Sequence, residues 1–98
     1  MSKESNFSDI YDSMTYNYGK LDRIMSDLYS YLKDNPYDDM AKDVLMRLNY
    51  VAQDMLYSQK ELTKTYGDAD LKEALIASLD SKAQTLSDAL EETRKKVV

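Results

Sequence analysis

Cysteine and histidine are both absent from the 98 residues. Without cysteine there are neither disulfides nor thiolate metal sites. Without histidine the commonest metal ligand is missing, as is the usual general base near neutral pH. Tryptophan is absent too, and there is one Pro and two Gly. Turns are therefore few, since Gly alone averages roughly 7% of residues in ordinary domains. No apolar run approaches the roughly 20 residues that span a membrane. The opening stretch, Met1 to Asn6, is polar and lacks the apolar centre of a signal peptide. A cytoplasmic location is the default expectation, with signal-independent export as the other route.

What is present is charge and helix-forming residues. Charged residues make up 32% of the chain, with a net charge of −5. Residues 1–35 carry 4 bases and 6 acids, residues 36–67 carry 4 and 5, and residues 68–98 carry 5 and 7. The deficit is spread evenly. There is no basic stripe to hold phosphates, so direct nucleic-acid binding is not expected.

A heptad period runs through the first third. Phe7, Met14, Leu21 and Leu28 form one column; Tyr11, Tyr18, Met25 and Leu32 form a second; Ile10, Asn17, Ile24 and Tyr31 form a third. Together they predict an apolar face about 100° wide on one helix from about Asn6 to Asp34. Gly19 falls inside it, but the columns stay in phase across it. The helix should stop before Pro36, because a proline pushes the preceding residue out of helical conformation. Asn35 is then the expected N-cap of a second helix with Pro36 at its first position.

That helix should run to Tyr66. Its columns are Tyr37, Val44 and Val51, and Ala41, Leu48, Met55 and Leu62, widened by Leu45, Ala52 and Tyr66. The expected buried face therefore centres on Val44, Leu48, Val51 and Met55. Gly67 is expected to end the helix in a left-handed cap. Asp68 is the expected N-cap of a third helix, from about residue 69 to 96. Its seam is Ile76, Leu79, Ala83, Leu86, Leu90, Thr93 and Val97, the narrow stripe of a coiled coil. Arg94, Lys95 and Lys96 suit the negative end of its dipole.

Three helices of nearly equal length with very short connections predict a single all-α domain, an elongated antiparallel three-helix bundle running up-down-up. The alternative is a helical hairpin of the first two, with the third used for oligomerisation.

All nine Tyr and every Met precede Gly67. The first two helices are thus the place to look for a binding surface. Met46, Tyr50, Gln53 and Tyr57 fall at i, i+4, i+7 and i+11, opposite the expected buried face of the second helix. Tyr gives large contact area at low entropy cost, and Met adapts to irregular partners. This row is the first candidate for a partner surface; a second packed face of a central helix is the plainer reading. Tyr16 and Tyr29 lie off the main face of the first helix and are secondary candidates.

Asp34, Asp38 and Asp39 gather at the first turn, and Asp68, Asp70 and Glu73 at the second. Carboxylates at helix starts have an ordinary capping role, and neither group has the calcium-loop pattern. A thin bundle also offers no deep pocket. The expectation is a non-enzymatic module without metal, cofactor, small-molecule substrate or membrane. It would bind one protein through a helical face as an adaptor, chaperone-like cap or inhibitor. The alternatives are a self-assembling or secretion-related subunit, or a small acidic phage-type inhibitor of a nucleic-acid-binding protein.

The turn Asn35-Pro36-Tyr37-Asp38-Asp39 resembles that of type III secretion needle subunits, which are short helical hairpins with a Pro/Asp turn. The likeness covers that turn alone, and a whole further helix follows it. Tyr18/Asp22, Tyr50/Asp54, Tyr57/Glu61 and Tyr66/Asp70 are similar in spacing to the tail signal of hairpins exported by type VII systems. The Trp-x-Gly turn of those hairpins is missing, and no family assignment follows.

Overall fold

The computed structural model describes residues 3–95, with side chains from Phe7. It consists of α1 (Lys3–Asp34), α2 (Asp39–Tyr66) and α3 (Ala69–Lys95). Lys96 and Val97, expected at the end of the third helix, lie outside the described residues. Gly19 does not interrupt α1.

The first connection departs from expectation by three residues. Asn35 does not cap α2. Its backbone N–H and its Nδ2 both donate to the Tyr31 carbonyl, each at 3.0 Å, so it closes α1. Pro36 and Tyr37 make a turn closed by the Asp38 N–H on the Asn35 carbonyl at 3.2 Å. The N-cap is Asp38, extended at φ −78° and ψ 91°. One carboxylate oxygen accepts from the Ala41 N–H at 3.0 Å and the other from the Tyr31 hydroxyl at 2.6 Å. A carboxylate with two partners is a stronger cap than an amide already used elsewhere.

Gly67 also ends α2 differently. It is extended, at φ −71° and ψ 152°, and its N–H donates to the Thr63 carbonyl at 2.9 Å. Its need is close approach: a Cβ there would sit 2.5 Å from the Thr63 carbonyl oxygen. The expected cap of α3 is present, with Asp68 Oδ1 accepting from the Asp70 N–H at 2.9 Å.

α1 and α3 both pack against α2. Gln59 of α2 reaches Tyr11 and Thr15 near the start of α1, so α1 and α2 are antiparallel. Asn49 reaches Leu86 and Lys60 reaches Asp80, so α2 and α3 are antiparallel too. The result is an up-down-up three-helix bundle measuring 50 × 22 × 15 Å. Helix α2 is its centre: among the described residues, no Cα of α1 lies within 8 Å of one in α3.

The core is formed by Met25 from α1, Leu45, Ala52 and Leu56 from α2, and Leu79 and Leu86 from α3. Fully burying a side chain of Leu or Met size stabilises by about 1.5–3 kcal/mol. The α3 seam matches expectation, with Leu79, Leu86, Leu90 and Thr93 buried and Ile76 and Ala83 half-buried. On α1 the Phe7 and Tyr11 columns face inward, but the third column does not: Ile10 and Ile24 are 50% exposed.

The largest correction concerns α2. Its buried seam is Lys42, Leu45, Asn49, Ala52, Leu56, Gln59 and Thr63. Val44 and Val51, expected at its centre, are exposed, while Leu48 and Met55 are half-buried on the α1 side. At 100° per residue the seam is turned roughly a quarter of the way round from the expected face. The reason is that α2 serves two neighbours, and the line between them is half polar. Its two amides are hydrogen-bonded there. Asn49 Nδ2 donates to the Leu86 carbonyl at 2.9 Å, and Asn49 Oδ1 accepts from Gln53 Nε2 at 2.6 Å. Gln59 Nε2 donates to Thr15 Oγ1 at 2.9 Å and to the Tyr11 carbonyl at 3.3 Å.

Candidate functional site

Turning the α2 seam moves the Met46, Tyr50, Gln53 and Tyr57 row. It lies along the boundary with α3 instead of opposite the buried face. Met46 and Gln53 are half-buried. The Tyr50 hydroxyl accepts a hydrogen bond from the Arg94 guanidinium of α3, and Gln53 is held by Asn49. Tyr57 is 64% exposed. With Gln53 it borders a groove of about 300 Å³ whose other wall is Leu79, Asp80 and Ala83. Lys60 bridges that groove to Asp80 at 2.9 Å, and this hydrogen bond is the main cause of the raised pKa of its ammonium. The pair is solvent-exposed, and such pairs contribute little to stability. The row is thus largely engaged within the molecule, with Tyr57 its free ring.

Tyr16 is exposed on the outer face of α1, its ring 4.6 Å from Lys20 Nζ. It does not join the helix 2 row. Tyr29 is half-buried and packs against the core. It borders a groove of about 400 Å³ between the end of α1 and the end of α3, floored by Lys42 of α2. Tyr18, about three helical turns earlier on α1, also faces α3, with Lys82 Nζ 5.7 Å from its ring. Its pKa is raised, first by burial and then by the nearby Asp22 charge, so its hydroxyl stays neutral.

A different surface emerges from the residues the sequence reading had placed inside. On α1 the Tyr18 and Tyr29 flank faces α3, and the Ile10, Ile24 and Tyr31 column lies on the other flank. On α2 the Tyr50 and Tyr57 flank faces α3, and Val44 and Val51 lie on the other. The flanks turned away from α3 belong to one molecular face, because α3 occupies the opposite side of the α1–α2 pair. Ile10 and Ile24 are 50% exposed on this face, Tyr31 44%, Val44 38% and Val51 50%. They stand at heptad positions, with the exposed Asn17 between Ile10 and Ile24 on α1. Their signal was already in the sequence. Each of the first two helices carries more apolar columns than its neighbours can cover.

Among the described residues, no group of three or more carboxylates converges as a metal site, and no helix is long and apolar enough to cross a membrane. The carboxylates at the two turns act as caps where they are engaged: Asp38 holds Ala41 and Tyr31, and Asp68 holds Asp70. Compared with known proteins, the chain matches no protein-family model, no curated protein and no solved structure.

Proposed function

We propose that this protein is a non-enzymatic binding module that receives an amphipathic helix of another protein on the α1–α2 face turned away from α3. The observation that carries the reading is the pair of half-exposed ridges, Ile10, Ile24 and Tyr31 on α1 and Val44 and Val51 on α2. Surface apolar residues scattered singly need no explanation, but several gathered on one face of a helix pair support an interaction site. Two antiparallel helices present a groove between parallel ridges, and a third helix packs into such a groove at 8–10 Å. The heptad spacing on both ridges matches a helical occupant better than an extended one. The lack of His and Cys supports binding over catalysis, as does the capping role of Asp38 and Asp68.

The test is photo-crosslinking in the source cells with benzoylphenylalanine at Val51, compared with the same group at Ser81, an exposed residue on α3. A defined adduct with another protein from position 51, and none from 81, is the expected result. Loss of that adduct on Ile24→Glu would place the contact on the ridge pair. Adducts between two copies of the chain would transfer the face to self-assembly. No adduct at 51, or equal adducts at both positions, would refute the reading.

A further inference from the structure

The outer face of α1, turned away from α2, carries its charges in a mirror-like order. Asp9, Asp12, Tyr16, Lys20 and Arg23 follow one another at spacings of three or four, so they lie along one side of the helix. All five are exposed, Tyr16 at 65%. The acids stand four and seven residues before Tyr16, and the bases four and seven residues after it. The five sum to zero charge on a chain of −5. Among the described residues, none of the four charged groups is in an ion pair. Lys20 rests instead on the Tyr16 ring, 4.6 Å from its centre. Gly19 stands about one turn beyond Tyr16, with nothing within 4 Å of an added Cβ. Glycine is a poor helix residue, and here its missing side chain leaves a hollow bordered by Tyr16, Lys20, Arg23 and Ile24.

We infer that α1 pairs with α1 of a second copy, antiparallel, about a two-fold axis at Tyr16. Such a contact uses the same patch on both copies. Asp12 then meets Lys20 of the other copy and Asp9 meets Arg23, and the axis repeats both pairs. An in-register parallel pair would set like charge against like. The two Tyr16 rings meet at the axis, and the hollow at Gly19 has room for the ring of the other copy. Their contact adds the apolar area that the charges lack. Exposed ion pairs each contribute little, so the dimer is weak and the charge order serves mainly to fix its register. The contact from Asp9 to Arg23 is about 21 Å of helix, a short interface suited to reversible association. Neither Tyr31 nor the Val44 and Val51 ridge takes part, so this assignment and that of a helical partner can fail separately.

The test is sedimentation equilibrium of the whole chain at about 0.1 M and about 1 M salt, between which the screening length falls from about 10 Å to about 3 Å. A reversible dimer at the lower salt, weakened about tenfold or more at the higher, is the expected result. Two charge-reversed chains sharpen it: Asp9→Lys with Asp12→Lys, and Lys20→Glu with Arg23→Glu. Each alone should be monomeric, because its face is then of one sign, and an equimolar mixture should dimerise. Register is read with Tyr16→Cys and Ser30→Cys chains and a short bis-maleimide, since the natural chain has no cysteine. Ser30 is exposed on the same face, two heptads beyond Tyr16. Antiparallel pairing joins two copies at position 16 and not at 30; parallel pairing joins them at both. Circular dichroism checks that each chain is folded. The cysteine chains keep all four charges, so the register test stands even if a charge-reversed chain unfolds. A monomer at both salts, a mixture of folded chains that stays monomeric, or cross-linking at position 30 or at neither position would each overturn the inference.

Discussion

Two glycines in this chain occupy opposite situations. At Gly67 an added Cβ meets the Thr63 carbonyl oxygen at 2.5 Å, a backbone atom of the last turn of α2. At Gly19 an added Cβ meets nothing within 4 Å. Gly67→Ala should therefore destabilise by about 1–3 kcal/mol, the usual cost of a forced backbone shift. Gly19→Ala should stabilise by roughly 0.5–1 kcal/mol, because it removes unfolded-chain freedom and raises helix propensity. Thermal melts of the two variants check both signs. Asp38 offers a second test at this scale. Its carboxyl is held below the ordinary aspartate value of 3.8, first by the Tyr31 hydroxyl and then by the Ala41 N–H. A group lowered on folding contributes stability above its unfolded value and loses it as pH falls through the folded one. The Tyr31 hydroxyl is raised above its ordinary 10.0 by the same bond, so its contribution holds below that pH and fades as pH rises further. Fraying of the first turn of α2 should accordingly begin below about pH 4 and again above about pH 10. Asp38→Asn should flatten the acid limb, as followed by amide exchange at Ala41.

Helix α2 was the element the sequence described least well, and its composition explains why. Its seam alternates apolar and polar: Leu45, Ala52 and Leu56 with Lys42, Asn49, Gln59 and Thr63. A reading by hydrophobic columns passes over a face that is half polar and settles on Val44, Leu48, Val51 and Met55, which carry a purer signal. The hydrogen bonds that make Asn49 and Gln59 acceptable inside are made to α3 and α1, and no local pattern announces them. The candidate row on α2 borders α3 and fits the plainer reading of a second packed face of a central helix. By contrast α3 has one neighbour and an apolar seam, and its buried positions were legible residue by residue. So were the helix count, the antiparallel order and the cap at Asp68. The two readings of α2 make different stability forecasts. Leu45→Ala, at 1% exposure, should cost about 2–5 kcal/mol. Val51→Ala, at 50% exposure, should change stability by less than about 0.5 kcal/mol. Asn49→Ala removes the donor to Leu86 and leaves Gln53 without its acceptor, so it should cost about 1–3 kcal/mol. Denaturant unfolding of the three variants ranks them, and a large loss from Val51→Ala would restore the purer face to the core.

At the scale of the whole molecule, α1 and α3 are held through α2 more than by each other. The polar ties divide accordingly: Gln59 joins α2 to α1, and Asn49 joins it to α3. Each tie fixes one pairing in register, in the way a single buried amide specifies register in a coiled coil. Damage to one pairing should therefore reach the other weakly. The double variant Gln59→Leu plus Asn49→Leu should show stability changes that add within about 0.5 kcal/mol, as for sites without shared partners. A coupling well beyond that would mean that the two outer helices act on one another directly.

The central position of α2 also sets an order of events in time. Among the described residues, the closely packed helix pairs are those that follow one another along the chain, so the ends to be brought together are close and loop closure is cheap. Folding should be fast, with two hairpins forming around a shared middle helix and neither waiting for a distant segment. The reverse follows for opening. Either outer helix can lift away while the remaining pair persists, but α2 amides are freed only when both neighbours have gone. Native-state hydrogen exchange should then find the slowest amides near Ala52 and Leu56, with α1 and α3 exchanging through separate, lower-energy openings. The same helix that carries the most polar interior would be the last part of the molecule to see water.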